Sequence, residues 1–233
     1  MKFFIDIGNT NFKICDENDL VKIFLVNEFY NFLKSFNFKE HQLYVLNNNL
    51  KCDEILKEFL NDNLFIFDIK KYQEQFIVSK KFHQNEIGND LWFLIYYLNK
   101  ISCDDVIIIS SGSCLISIVK KQNQICSISI NLGISNSNLI LRDKFNLQTS
   151  QRINNESGTE TDLCISLGNY CLINGIIQTN SEIFSLHSPQ IVVCGNDWDD
   201  NCTKKIIEKY PTTILKNNLV LSTFKNWCLD NNL

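Results

Sequence analysis

Lys2-Phe3-Phe4-Ile5-Asp6-Ile7-Gly8-Asn9-Thr10-Asn11-Phe12-Lys13-Ile14-Cys15 decides the reading of this chain. An apolar run of strand type meets Asp-x-Gly-Asn-Thr, and a second strand-like run follows. Two strands joined by a tight Gly turn expose backbone N–H groups and small hydroxyl and amide side chains. Such donors converge on an anion without bulk, which suits a phosphate. Asp6 cannot bind phosphate directly, but a carboxylate beside it suits Mg²⁺ or its water shell. An ordinary β-hairpin with a polar tip fits the same residues.

Working outward, the 233 residues allow one large domain or two small ones. Hydrophobic residues make up 45% and charged residues 21%, enough for a buried core. The net charge of −4 comes with no Lys/Arg run, which argues against a nucleic-acid footprint. Arginine, the usual bidentate grip on phosphate and carboxylate, occurs only as Arg142 and Arg152. The 10 cysteines include no Cys-x-x-Cys and no zinc-spaced cluster. Cys114, Cys126, Cys164, Cys171 and Cys194 lie in apolar runs and read as small core residues. No signal-peptide pattern and no run of membrane-spanning length is present, so the expectation is a reduced, cytoplasmic protein without a membrane partner.

Periodicity predicts strands over 2–7, 11–16 and 20–26, a helix over 27–36, a strand over 42–46, a helix over 53–60 and a strand over 64–69. A helix with a dense apolar face is expected over 86–99. The pattern then restarts, with strands over 106–110, 115–120 and 124–130 and helices over 135–147 and 159–179. A strand over 190–194, a helix over 198–209, a strand over 213–215 and a helix over 218–231 close the chain. Phe3–Thr10 can be laid on Ile107–Cys114, since both read as strand, Gly turn, strand. The repeat predicts two homologous α/β lobes with mixed sheets, 1–103 and 104–233, facing each other across a cleft where two turns clasp a nucleotide.

With these motifs in order, the chain resembles the type III pantothenate kinases, of the acetate and sugar kinase and actin superfamily. The resemblance runs over the whole chain. Asp6–Thr10 is similar to the family's first phosphate motif, Asp-x-Gly-Asn-Thr; Gly88-Asn89-Asp90-Leu91 is similar to Gly-x-Asp-Arg. Ser110-Ser111-Gly112-Ser113 is similar to the second phosphate motif, and Val193-Cys194-Gly195-Asn196-Asp197 to a late Gly-Gly turn near the adenosine. The resemblance implies two tandem RNase H-like (actin-like ATPase) lobes and transfer of phosphate from ATP to the primary hydroxyl of pantothenate, the first step of coenzyme A biosynthesis. It makes Asp90 the catalytic base and Asp6 the Mg²⁺ residue, acting through water. It places Asp6, Ile7, Gly8, Asn9, Thr10, Asn11, Phe12, Lys13 and Ser113 around ATP, and Phe82, Gly88, Asn89, Asp90, Leu91 and Thr161 around pantothenate. It also implies a homodimer in which Thr161 reaches the partner's site, with Leu163, Ile165, Leu167, Leu172 and Ile173 on the interface helix. Read without the resemblance, Asp90 is a helix N-cap first, and Asn9 and Thr10 a turn bonded to itself.

Several departures fall on functional positions. Leu91 stands where the family has the substrate-gripping Arg, and Phe82 where it has a Tyr. Lys80 and Lys81 read as solvated charges rather than replacements for the Arg. Ser110 replaces the acid that helps hold a monovalent cation, K⁺ or NH₄⁺, and a neutral Ser binds such a cation poorly. Ile116, Ile118, Ser127, Ile128 and Leu132 replace further motif residues, with Gly133 kept. The first turn and the base are intact, whereas the second turn and the substrate grip are eroded. Two readings follow: an active kinase with a rebuilt pocket, or a catalytically impaired relative that keeps the fold for binding or regulation.

Overall fold

The computed structural model describes residues 1–72, 75–76, 87–145, 160–195, 198 and 200–233. They form two compact units, Met1–Lys100 with Leu219–Leu233, and Ile101–Asn218. The expected second lobe ran to residue 233. The structure instead packs the closing helix on the first unit, because Phe224 and Trp227 complete an aromatic layer there.

In the first unit, β1 (Lys2–Ile7), β2 (Asn11–Asp16) and β3 (Val21–Leu25) form an antiparallel meander. Then β4 (Gln42–Asn47) pairs parallel with β1, and β5 (Leu64–Ile66) parallel with β4. The sheet order is β3-β2-β1-β4-β5. Helix α1 (Phe29–Ser35) connects β3 to β4, and α2 (Lys51–Glu58) connects β4 to β5, since parallel neighbours need a crossover.

Strand alternation sorts the core of this unit into two faces. Ile5, Ile7, Leu43 and Val45 pack with Phe29 and Leu33 of α1 and Cys52 and Leu56 of α2. The opposite face carries Phe4, stacked on Tyr44 at 5.3 Å and edge-on to Phe224 at 6.4 Å. Helices α3 (Asn89–Lys100) and α7 (Leu219–Asp230) cover it. Phe93 of α3 meets Phe224 at 5.2 Å and Phe67 at 4.9 Å, in the edge-to-face geometry that ring quadrupoles favour. Asp6 alternates in phase with Phe4, so its carboxyl enters this α3-covered face at the strand's end.

The second unit repeats the plan. Strands β6 (Val106–Ser111), β7 (Cys114–Lys121) and β8 (Gln124–Leu132) form the meander. Strands β9 (Gln190–Gly195) and β10 (Ile214–Lys216) add in parallel, giving β10-β9-β6-β7-β8. The two orders are the same when each is counted from its own first strand. Helices α4 (Ile134–Phe145) and α5 (Glu160–Ile183) lie between β8 and β9, and α6 (Asp200–Lys209) between β9 and β10. Ile107, Ile109, Ile191 and Val193 pack with Ile173 and Ile177 of α5 and Ile206 of α6.

The cysteine expectation needs correction. Of the five read as core, Cys194 alone is buried; Cys114, Cys164 and Cys171 are exposed and Cys126 is half-buried. Cys15, Cys52, Cys202 and Cys228 are the other buried ones, and all 10 are free thiols. An apolar run has an outer face on a helix, as at Cys164 and Cys171, and on a strand, as at Cys114 and Cys126, which composition alone does not mark. No helix among the described residues is long and apolar enough to cross a membrane.

Candidate functional site

The first unit gathers three chain segments at the carboxyl ends of β1 and β4, where open α/β sheets carry their ligands. The β1–β2 turn is closed by the Gly8 N–H donating to Asn11 O at 2.9 Å. Asn9, Thr10 and Asn11 are exposed, and their side chains make no hydrogen bond among the described residues, so the self-bonded turn is not what forms. Ile7 and Phe12 point into the core with no exposed surface, so only their backbone can face a ligand. Asp6 and Lys13 are directly paired across the hairpin, which puts both side chains on one face.

The second segment is Asn47-Asn48-Asn49, which leaves β4. Asn48 N–H donates to Ile7 O at 3.0 Å, and Asn49 Nδ2 donates to Gly8 O at 3.2 Å, so the run buttresses the turn. The third segment is the start of α3. Asn89 Nδ2 donates to Asn47 O at 2.7 Å, and Asp90 N–H donates to Asn48 Oδ1 at 3.0 Å. Asp90 Oδ1 accepts the Leu91 N–H at 2.9 Å. Gly88 leaves room for that carboxyl: a Cβ there would sit 2.8 Å from Asp90 Oδ1.

Both carboxyls are perturbed. Burial lifts the Asp6 carboxyl to about 6, with nearby Asp90 adding to the rise and Lys13 and the Asn48 amide opposing it. Burial also raises Asp90, against hydrogen bonds from the Leu91 N–H and its own N–H. Two acids held above their ordinary range in one network have the chemistry to take up a proton or face a cation. Asp6 accepts from Asn48 Nδ2 at 3.4 Å. No group of three or more His, Cys, Asp or Glu among the described residues could cage a metal. A single carboxylate beside the turn, Asp6, is a donor set that fits a Mg²⁺ keeping most of its waters.

The remaining expected residues scatter. Leu91 is 5% exposed and packs in the first unit's core, so it does not project as a substrate grip. Phe82, Lys80, Lys81, Asn196 and Asp197 lie outside the described residues, as does the side chain of Thr161, whose backbone is in the first turn of α5. In the second unit, Ser113 is half-buried, and its carbonyl accepts the Gly133 N–H at 3.1 Å and Asn136 Nδ2 at 2.8 Å. Ser110 is half-buried, while Ser111 is buried with its Oγ unpaired among the described residues. Gly195 has φ +102°, and a Cβ there would lie 2.0 Å from Ser111 O, so glycine is required. On α5, Ile173 is core, whereas Leu167 and Leu172 are exposed.

No protein-family model matches the sequence, and no curated protein aligns with it. Solved structures do match. A putative Baf family transcriptional activator from Campylobacter jejuni superposes with a TM-score of 0.68 at 18% identity, over 99% of this chain and 100% of that one. The Alp12 filament structure superposes at 0.54 and 9% identity, over 100% of this chain and 99% of that one. The likeness is one of fold. Two mixed-sheet lobes with helices around them are consistent with the actin-like ATPase fold.

Asn48 is the residue that the sequence reading passed over. Its signal was visible: three consecutive asparagines directly after a strand that pairs parallel with the motif strand.

Proposed function

We propose that this chain is an ATP-dependent phosphotransferase acting on a primary hydroxyl, with pantothenate as the acceptor and 4′-phosphopantothenate as the product. The observation that carries the reading is the pairing of two perturbed carboxyls, Asp6 and Asp90, beside an exposed turn of free donors. In this mechanism Asp90 accepts the hydroxyl proton as the acceptor oxygen bonds to the γ-phosphorus. The bond from that phosphorus to the β-phosphate oxygen breaks, and ADP leaves. Gly8, Asn9, Thr10 and Asn11 offer N–H, amide and hydroxyl donors to phosphate oxygens, and Lys13 adds a cation on the Asp6 face. Bound Mg²⁺ would neutralise phosphate charge, with Asp6 orienting its water shell.

The RNase H-like assignment of each lobe belongs to this reading and is supported by the shared strand order. So do a cytoplasmic location and a homodimer, for which the exposed Leu167 and Leu172 on α5 and Ile130 and Leu132 on β8 offer apolar surface. Thr161 and Phe82 are proposed as substrate contacts on the resemblance alone.

A second reading is an impaired relative that binds nucleotide without turnover. The burial of Leu91 favours it, because the position that should grip substrate is spent on packing. An ATP/Mg²⁺ assay with pantothenate, with and without K⁺, alongside ATP calorimetry, separates the two. Turnover supports the kinase, and ATP binding without turnover supports the second reading.

A further inference from the structure

The three asparagines after β4 are spent differently. Asn47 Nδ2 donates to Asp53 Oδ1 at 2.6 Å, and its Oδ1 accepts the Asn49 N–H at 3.0 Å. Asn49 Oδ1 accepts the Lys51 N–H at 3.0 Å, where α2 begins. These are local bonds of the kind asparagine uses to shape a turn. Asn48 makes no such local bond with its side chain. Its Oδ1 accepts the Asp90 N–H at 3.0 Å, and its Nδ2 donates to Asp6 Oδ1 at 3.4 Å. Both partners are 42 residues away in sequence, one on β1 and one at the start of α3.

The side chain's orientation is forced. A backbone N–H needs an oxygen and a carboxylate needs an N–H, so one arrangement of the Asn48 amide serves both. An aspartate would keep the acceptor and lose the donor. A leucine of similar bulk would lose both and leave the Asp90 N–H unpaired, a cost that buried donors seldom carry. The Asn48 backbone is itself pinned, its N–H donating to Ile7 O beside Asp6.

We propose that Asn48 is the positioning residue of this site, a clamp that fixes the Asp6 and Asp90 carboxyls in one arrangement by holding β1 and the first turn of α3 at its two ends. It touches neither phosphate nor acceptor in this account. It acts by keeping the base aligned, the kind of support on which positional catalysis depends. The rate consequence rests on the phosphotransferase reading; the clamp itself does not.

The test compares wild type, Asn48→Leu and Asn48→Asp as full chains, by residue-resolved amide hydrogen exchange, calorimetry with Mg²⁺-ATP and phosphoryl-transfer kinetics with pantothenate. Asn48→Leu is expected to lower Asp90 amide protection at least about 10-fold. It should cut kcat about 10- to 100-fold while the Mg²⁺-ATP dissociation constant moves less than about 3-fold. Asn48→Asp, isosteric and keeping the acceptor for the Asp90 N–H, is expected to restore Asp90 protection but not kcat, because its carboxylate faces Asp6. Wild-type protection of Asp90 in a folded Asn48→Leu chain would overturn the clamp, as would wild-type kcat in Asn48→Asp. If wild type itself turns over nothing, the phosphotransferase reading fails while the exchange data still decide the clamp.

Discussion

The β1–β2 turn of the first unit and the β6–β7 turn of the second stand on the same scaffold and have opposite chemistry. Each joins the first two strands of a sheet with the same order, and each abuts the end of the next parallel strand. At the first turn, Ile7 pairs with Asn47, and the chain beyond supplies Asn48 to two raised acids. At the second, Ser111 pairs with Gly195, and the space is closed by backbone against backbone. Where β1 carries Asp6, β6 carries the neutral Ser110. A duplicated fold thus sets two raised acids beside its first turn, and among the described residues only neutral serine side chains at the matching positions of the second.

The largest effect should come from removing the base. Asp90→Asn is expected to lower phosphoryl transfer by about 10²–10⁴-fold, as loss of a general base does. The melting temperature should stay within a few degrees, read by thermal denaturation alongside the kinetics. The second turn breaks differently. Gly195→Ala should destabilise the chain by roughly 3 kcal/mol through its positive φ and the overlap with Ser111 O, seen as a lower denaturant midpoint.

Asp6 gives a pH test with a definite sign. Its folded carboxyl sits near 6 against an ordinary 3.8, so the native state holds a proton that the unfolded chain releases. Stability from this group is therefore greatest below pH about 4 and is lost as pH rises through about 6. Asp6→Asn should stabilise the ligand-free chain by roughly 2 kcal/mol at pH 7.5, flatten that slope, and abolish Mg²⁺-dependent ATP binding. Equal stability at pH 7.5 would remove the burial cost attributed to Asp6. The smallest effect belongs to the missing acid. Wild type should respond equally to K⁺ and Na⁺, and Ser110→Asp should introduce a K⁺ preference of a few-fold, read in thermal shift at matched ionic strength.

Much of this comparison is legible in the amino-acid sequence. The apolar runs Phe3–Ile7 and Val106–Ile109 mark both first strands, and the Gly turns after them mark the repeat. What escaped depended on contacts distant in sequence. Leu219–Asp230 reads as an ordinary closing helix, and its aromatic partners, among them Phe93 on α3 and Phe4 on β1, place it with the first unit. Leu91 reads as a vacancy in a motif, yet α3 needs its apolar face for packing. Asn48 reads as one of three polar loop residues until two segments 42 positions away are seen to meet on it. Periodicity reports which face of an element is buried, and it cannot report which loop atoms converge.

The central claim is that the first turn and Asp90 form a phosphoryl-transfer site. Wild type and Asp90→Asn, incubated with Mg²⁺-ATP and pantothenate and followed by ³¹P NMR, test it most directly. A new phosphate monoester is expected to grow with ADP in wild type and to be absent with Asp90→Asn, while both chains bind Mg²⁺-ATP. Failure of wild type to bind Mg²⁺-ATP at all, or equal ester formation by the two chains, would contradict it.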